Sequence, residues 1–289
     1  MREHANDLKI FYVAHKKPIL IGLIVLGVLC AVGMVVSIFI DLELTVALYD
    51  PDQRFSWFLH DYGEILAYIV NLGFFTAFFV WAFKDLKGWK RVVLCILPIL
   101  STAVFGYWFI GYWVTGAVAR ILVNVVVFIC GVLFFYFLPR KVFDRLFFLF
   151  MVVFTVNVAI NATMMLIKIV WGRVRFRDLC DAHEAFTHWF QINGVNGHQS
   201  FISGHVTTAS TILILWLVPI VFKIKNRLAQ ILLFVLPALY VIAQMYSRLV
   251  VGAHYLSDVV FAIPHFFAWA IVILYFVCRQ PKEKERAGI

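Results

Sequence analysis

Residues 247–258 read Ser-Arg-Leu-Val-Val-Gly-Ala-His-Tyr-Leu-Ser-Asp and join two very apolar segments. Charged side chains are costly inside a bilayer and usually have a function there. His254 and Asp258 are four residues apart, so a helix beginning here would place both on one face and let the carboxylate accept a hydrogen bond from the imidazole. Such a pair fixes the tautomer and leaves the other ring nitrogen as a base or nucleophile.

Arg248 adds a permanent cation that suits a phosphate or a carboxylate. Taken alone, the stretch is equally compatible with an interfacial loop that holds a snorkelling arginine and a chance His–Asp pair. The remaining sequence is therefore needed to distinguish a functional site from an interfacial loop.

The composition is that of a membrane protein. Of the 289 residues, 63% are hydrophobic and 14% are charged, whereas an average soluble domain is about 45–50% apolar and about 25% charged. The net charge of +9 does not indicate nucleic acid as a partner, because the basic residues form short clusters between apolar runs, as in cytoplasmic loops. The five cysteines show neither metal-ligand spacing nor a disulfide framework.

The apolar segments predict an all-α, polytopic transmembrane helix bundle. A span needs about 20 apolar residues, and by this measure we predict about eight spans. They cover residues 18–40, 64–83, 92–113, 118–138, 146–168, 204–223, 228–248 and 257–278. With eight spans, every basic cluster falls on one side, which predicts a cell-membrane protein with both termini in the cytoplasm and the 41–63, 169–203 and 249–256 loops outside.

Two regions of the chain differ in their content of candidate site residues. Residues 1–145 hold the first four spans, and residues 146–289 hold the polar stretches that carry chemistry. We expect both regions to form one integrated bundle rather than separate domains.

The candidate site residues cluster at span ends on the predicted outer face. Lys168 ends span five and Arg175 follows it, while Ser203, Gly204 and His205 open span six. The first turn of a helix has unpaired backbone N–H groups and is a natural anion site. Together with Arg248, His254 and Asp258, these residues predict a cradle for a phosphoryl group with a nucleophile and an acid beside it.

These stretches resemble the three motifs of the type-2 phosphatidic acid phosphatase family, which are Lys-x6-Arg-Pro, Pro-Ser-Gly-His and Ser-Arg-x5-His-x3-Asp. Here they read Lys168-x6-Arg175-Phe176, Ile202-Ser203-Gly204-His205 and Ser247-Arg248-x5-His254-x3-Asp258. The third motif is complete, whereas Phe176 and Ile202 replace the prolines of the first two. Proline shapes the backbone but makes no phosphate contact, so this departure concerns loop geometry more than chemistry. The resemblance covers residues 168–258, and spans one to four lie outside it.

The resemblance implies a mechanism and a role for each residue. His254 attacks phosphorus and forms a phosphohistidine, Asp258 orients it, and His205 protonates the leaving oxygen and then activates water. The equatorial phosphate oxygens are held by Lys168, Arg175, Ser203, the Gly204 N–H and Arg248. The resemblance implies no metal and no cofactor, because the cations neutralise the phosphate.

Several functions remain open at this stage. The site's level in the membrane predicts a lipid phosphate substrate, and the family suggests polyprenyl diphosphate, phosphatidic acid or phosphatidylglycerol phosphate, in that order for a bacterial chain. A lipid phosphotransferase would use the same residues. A transporter is disfavoured because the charges lie at span ends rather than at the bilayer midplane, and a non-catalytic membrane scaffold would not need both histidines and all three cations. The sequence does not indicate an oligomeric state.

Overall fold

A computed structural model describes residues 2–111, 114–179 and 183–279, and within them the chain forms helices and turns but no strand. The helices are α1 (Arg2–Ala14), α2 (Lys16–Leu48), α3 (Arg54–Tyr62), α4 (Ile65–Asp85), α5 (Gly88–Ile110), α6 (Ala117–Phe137), α7 (Arg140–Trp171), α8 (Gly204–Ala209), α9 (Val218–Val221), α10 (Arg227–Val250) and α11 (Leu256–Cys278). Within the described residues, 3₁₀ segments occur at Phe176–Asp178 and Ser210–Leu217.

Eight helical segments among the described residues are long and apolar enough to cross a membrane. The predicted all-α bundle with eight spans is therefore confirmed, and the chain is a multi-pass membrane protein. The sixth span is composite, because α8 passes through the 3₁₀ segment Ser210–Leu217 into α9.

The first predicted span and the loop after it need correction. Helix α2 continues to Leu48 instead of ending near residue 40, and Asp41 is buried within it rather than lying in an outer loop. The helix can continue through this carboxylate because Arg173 pairs with it at 2.9 Å. The remainder of the predicted 41–63 loop is also partly helical, since α3 occupies Arg54–Tyr62.

Several helix pairs connect the two halves of the chain, and two of them are the most extensive. Helix α2 packs on α11, and α4 packs on α7. The central core joins Val156 and Ile160 of α7 to Val259 and Ala262 of α11. Residues 1–145 thus pack directly against the part of the chain that carries the motifs, and one integrated bundle remains our expectation.

One end of the bundle collects all three motifs. The eight spans alternate in direction, so the C-terminal ends of α7 and α10 lie with the N-terminal ends of α8 and α11. Backbone hydrogen bonds cross this end, from Asp50 N to Val250 O at 2.9 Å and from Arg177 N to Gly252 O at 2.9 Å. We call it the motif end.

Candidate active site

The third motif forms a tight turn between α10 and α11. Gly252 has a φ of +62°, a left-handed conformation that glycine adopts without strain. A Cβ atom at this position would lie 2.8 Å from the Tyr49 ring and 3.1 Å from the Phe176 ring, so the turn is also tightly enclosed. The backbone N–H of His254 donates to the carbonyl oxygen of Arg248 at 3.2 Å. The turn thus brings the arginine and the histidine of the motif together.

The Asp258 carboxylate is fixed by three donors. It lies in the first turn of α11, where Oδ2 accepts hydrogen bonds from the Tyr255 N–H at 3.1 Å and from the Ser200 hydroxyl at 2.5 Å. Its Oδ1 accepts from Arg173 Nη1 at 2.6 Å. Because the residue is fully buried, these bonds leave the carboxylate no alternative orientation.

His254 is the buried partner of this carboxylate. Its side chain is 3% exposed, and Nδ1 lies 3.4 Å from Asp258 Oδ2. Burial lowers the pKa of His254 to about 3, so the imidazole is neutral at neutral pH. With the Nδ1 proton directed to Asp258, the lone pair of Nε2 is free to act as a nucleophile.

The second motif is attached to the third through the backbone. The Ser203 N–H donates to the carbonyl oxygen of Asp258 at 3.0 Å. Helix α8 begins at Gly204, as the sequence predicted, and Ser203 is its N-cap. A Cβ atom on Gly204 would lie 3.3 Å from Met164 Sδ and 3.7 Å from Lys168 Cε. The second motif therefore also contacts the side chain that opens the first.

The first motif begins on the last turn of α7. Lys168 is buried there, and its Nζ donates to the carbonyl oxygen of Gln199 at 2.6 Å. The helix ends at Gly172 in the left-handed conformation, with a φ of +53°. A Cβ atom at Gly172 would be only 2.1 Å from the carbonyl oxygen of Gly194, so the returning loop passes directly over the helix end.

Buried apolar side chains occupy the two positions where the family motifs have proline. Phe176 is 8% exposed and its ring centroid lies 5.1 Å from that of Tyr49. Ile202 is fully buried in a cluster with Met34, Met164 and Phe201. Packing therefore anchors both loops at these positions.

The basic residues of the site are buried or partly buried, and two of them are incompletely paired. Arg248 is 2% exposed, and its Nε and Nη1 have no hydrogen-bond partner among the described residues. The same holds for Nε of Arg175. Lys168 lies within electrostatic range of both arginines. Because an unpaired N–H of a buried guanidinium is costly, these groups suit an anion such as a phosphate.

The structure places all of the predicted site residues at the motif end. His205 lies within electrostatic range of Arg248 and His254, which connects the second motif to the third. The roles assigned from the resemblance remain predictions. The residues are His254, His205, Asp258, Lys168, Arg175, Ser203, Gly204 and Arg248.

Sequence reasoning missed the buried partners of Asp258. Arg173 is fully buried and, besides Asp258, binds Asp41 at 2.9 Å and the Ser257 hydroxyl at 2.7 Å. Its guanidinium also lies 4.1 Å from the centre of the Tyr255 ring. Two sequence features could have indicated these partners. Asp41 is a charged residue next to an apolar run, and Arg173 follows the end of predicted span five.

Glu64 was a second residue whose place the sequence did not indicate. It had no obvious partner in the sequence, yet its Oε1 lies 3.6 Å from Nδ1 of His205. The other ring nitrogen of His205, Nε2, lies 3.1 Å from the carbonyl oxygen of His60. Both contacts come from the region before the motifs, which the sequence pattern could not place in space.

Comparison with known proteins identifies the motif-bearing part of the chain. A family model described as the PAP2 superfamily matches residues 149–284. Residues 149–284 are similar to the PAP2 superfamily. The PAP2 match is consistent with a type-2 phosphatidic acid phosphatase family, as the motifs indicated, and it contains all three motifs.

Other comparisons gave no further relatives. No curated protein and no solved structure matched the chain significantly. The PAP2 match supports phosphatase activity on phosphate esters, and thus a hydrolase. The PAP2 match begins within α7, so α1 to α6 lie outside it.

Proposed function

We propose that this protein is a membrane-embedded lipid phosphatase that hydrolyses a lipid phosphate or diphosphate through a phosphohistidine intermediate. The observation that carries the proposal is the buried, incompletely paired guanidinium of Arg248 beside the neutral His254 of the His254–Asp258 pair. An anion site next to a neutral imidazole suits nucleophilic attack on phosphorus.

The first step transfers the phosphoryl group to the enzyme. Nε2 of His254 forms a bond to phosphorus while the bond from phosphorus to the lipid oxygen breaks. His205 donates a proton to that leaving oxygen, and Asp258 stabilises the imidazolium formed at His254. The equatorial oxygens are held by Lys168, Arg175, Ser203, the Gly204 N–H and Arg248.

The second step releases phosphate. His205, now neutral, takes a proton from water, the water oxygen attacks phosphorus, and the bond to His254 Nε2 breaks. A lipid phosphotransferase would differ only in using a lipid hydroxyl in place of this water. The acceptor is therefore decided by assaying phosphate release with and without added acceptor lipids.

The position of the site suggests the class of substrate. The motifs lie at span ends, where a lipid headgroup would sit, and we infer that this end faces the outside of the cell membrane because the basic loops fall at the other end. Both termini would then be cytoplasmic, although residues 280–289 lie outside the described residues. Polyprenyl diphosphate, phosphatidic acid and phosphatidylglycerol phosphate are the candidate substrates, in that order.

The proposed chemistry uses protein cations in place of a metal ion. Among the described residues, no group of three or more His, Cys, Asp or Glu side chains is arranged to hold a metal. Lys168, Arg175 and Arg248 supply the positive charge that the phosphate requires. Activity should therefore survive chelation, and vanadate should inhibit because it mimics five-coordinate phosphorus.

The test is phosphate release by purified protein from a panel of lipid monophosphates and diphosphates, in EDTA. We expect turnover of at least one lipid, loss of turnover in His254→Ala, and a loss of about 10²–10⁴-fold in His205→Ala. An Arg140→Gln variant at the opposite end serves as a control and should keep wild-type turnover. Absence of turnover with every lipid, or turnover restored only by a divalent metal, would contradict the proposal.

A further inference from the structure

Helix α3 and the corner that joins it to α4 are attached to α10, although they precede the PAP2 part of the chain. The Ser247 hydroxyl donates to the carbonyl oxygen of Ser56 at 2.9 Å, and Gln244 Nε2 donates to that of Leu59 at 3.2 Å. Both donors are fully buried. One face of α10 therefore holds α3 in a defined place, next to Arg248.

The corner itself is in close contact with α10. The Tyr240 hydroxyl donates to the carbonyl oxygen of Gly63. A Cβ atom on Gly63 would lie 1.5 Å from Gln244 Nε2 and 2.3 Å from the carbonyl oxygen of Leu59. Only glycine fits here, so the residue that follows, Glu64, is positioned by the fold.

This corner surrounds the imidazole of His205. Glu64 Oε1 lies 3.6 Å from Nδ1, and the carbonyl oxygen of His60 lies 3.1 Å from Nε2. Both ring nitrogens thus face oxygen atoms from one short segment. The side chains of Glu64 and His205 are 25% and 24% exposed, so a bound substrate could reach them.

The surrounding charges explain why a carboxylate is needed here. His205 lies within electrostatic range of Arg248, and Glu64 lies within range of both Arg248 and Lys168. Nearby cations oppose the positive charge that the imidazole gains on protonation. A general acid must carry that charge before it donates its proton, and a carboxylate beside Nδ1 stabilises it.

We propose that Glu64 is a positioning residue for His205, as Asp258 is for His254. Its carboxylate orients the ring through Nδ1 and stabilises the imidazolium form, while Nε2 turns from the His60 carbonyl to the substrate. In the first step the Nε2 proton moves to the leaving oxygen as the bond from phosphorus to that oxygen breaks, and the Nδ1 proton stays on the ring beside Glu64. This inference rests on the proposed phosphatase function.

The test compares Glu64→Gln with wild type on two substrates, a lipid phosphate monoester and 4-nitrophenyl phosphate. The alkoxide that leaves from the lipid substrate is a strong base and must be protonated as it departs. Nitrophenolate is a weak base and can depart without a proton. We expect kcat for the lipid substrate to fall about 10–100-fold, kcat for the aryl substrate to change by less than about threefold, and Glu64→Asp to recover part of the lipid activity. Glu43→Gln, which removes an exposed carboxylate on α2, should match wild type.

A double-mutant cycle on the lipid substrate gives a second, independent readout. If Glu64 acts through His205, adding Glu64→Gln to His205→Ala should cause no further loss. Additive losses, or equal losses of both substrates in Glu64→Gln alone, would overturn the inference. Failure of the proposed function would look different, because wild type would then release no phosphate or His254→Ala would remain active.

Discussion

Arg173 is the side chain on which the two buried carboxylates of the motif end depend. It donates to Asp258 at 2.6 Å and to Asp41 at 2.9 Å, and all three side chains are at most 1% exposed. Two carboxylates and one guanidinium leave a net negative charge, which the Ser257 and Ser200 hydroxyls help to compensate by donating hydrogen bonds. Arg173 therefore helps to keep Asp258 charged and in place beside His254.

We expect Arg173→Ala to destabilise the protein by about 3–5 kcal/mol, because it leaves two buried carboxylates without their cation. It should also reduce turnover, since Asp258 loses one of its fixed donors. Thermal unfolding in detergent measures the first effect and phosphate release the second. Arg177→Ala is the matched control, because Arg177 is partly exposed. Its guanidinium lies 4.0 Å from the Asp178 carboxylate, which is too far for a hydrogen bond. Equal unfolding temperatures for the two variants would contradict this account.

Because His254 is buried and neutral, the free energy of unfolding should depend on pH. Its pKa in the folded protein is about 3, below the ordinary value of about 6.5 for the unfolded chain. The unfolded state therefore binds a proton first as the pH falls. The stability associated with neutral His254 is fully present above pH 6.5 and is lost progressively between pH 6.5 and pH 3.

Wild type should therefore lose stability relative to His254→Asn on acidification from pH 7 to pH 4. Each pKa unit of difference corresponds to about 1.4 kcal/mol. Unfolding temperatures of the two proteins in detergent at several pH values measure the difference, and the other titrating groups are common to both. A constant difference across this range would show that His254 is not held neutral by burial.

At the level of elements, the turn between α10 and α11 controls how the first and third motifs meet. Gly252 lies against the rings of Tyr49 and Phe176, and its carbonyl oxygen accepts a hydrogen bond from the Arg177 N–H. Side chains from the C-terminal cap of α2 and from the loop after α7 thus enclose the same turn. Phe176, which stands where the family motif has a proline, packs against this turn and the Tyr49 ring.

Gly252→Ala should disturb this turn by two mechanisms. The left-handed conformation costs a non-glycine residue about 1–2 kcal/mol, and the added Cβ atom would overlap Tyr49. We expect a lower unfolding temperature together with reduced turnover. In Gly27→Ala the added Cβ atom meets nothing within 4 Å, so this control should keep the wild-type unfolding temperature and turnover. A comparable loss of either in the control would show that the effect is not specific to the turn.

Sequence patterns predicted some elements well and others poorly, for physical reasons. Eight apolar segments of sufficient length indicate eight spans, because the bilayer fixes the length of a spanning helix. The extension of α2 past Asp41 was missed because a charge at the end of an apolar run looks like a loop until its partner, Arg173, is known. Helix α3 was missed because its stability comes from α10 rather than from its own sequence.

The site residues also divide into those that a local sequence pattern predicts and those whose partners lie far away in the chain. The motif residues, such as His254 and Asp258, lie at fixed spacings and were predicted from the sequence. Glu64, Asp41 and Arg173 were not, because each acts on a residue that is at least 80 positions away in the chain. Only the packing of α2 against α11 and of α3 against α10 brings these groups together.

At the scale of the whole molecule, the distribution of charge predicts the orientation in the membrane. Val195 lies at the motif end and is 81% exposed, and Lys225 is exposed in the loop before α10 at the other end. In a background without the natural cysteines, a membrane-impermeant thiol reagent should label Val195→Cys in intact cells and Lys225→Cys only after permeabilisation. The reverse pattern would place the site in the cytoplasm.

The central claim is that a phosphoryl group passes through His254, and trapping the intermediate tests it most directly. Purified protein is mixed with a turned-over lipid phosphate, quenched within the first turnover, digested and analysed by mass spectrometry. The account predicts an acid-labile phosphate on His254 in wild type, and no phosphoenzyme in His254→Ala. Phosphate bound to another residue, or a phosphoenzyme that persists in His254→Ala, would contradict it.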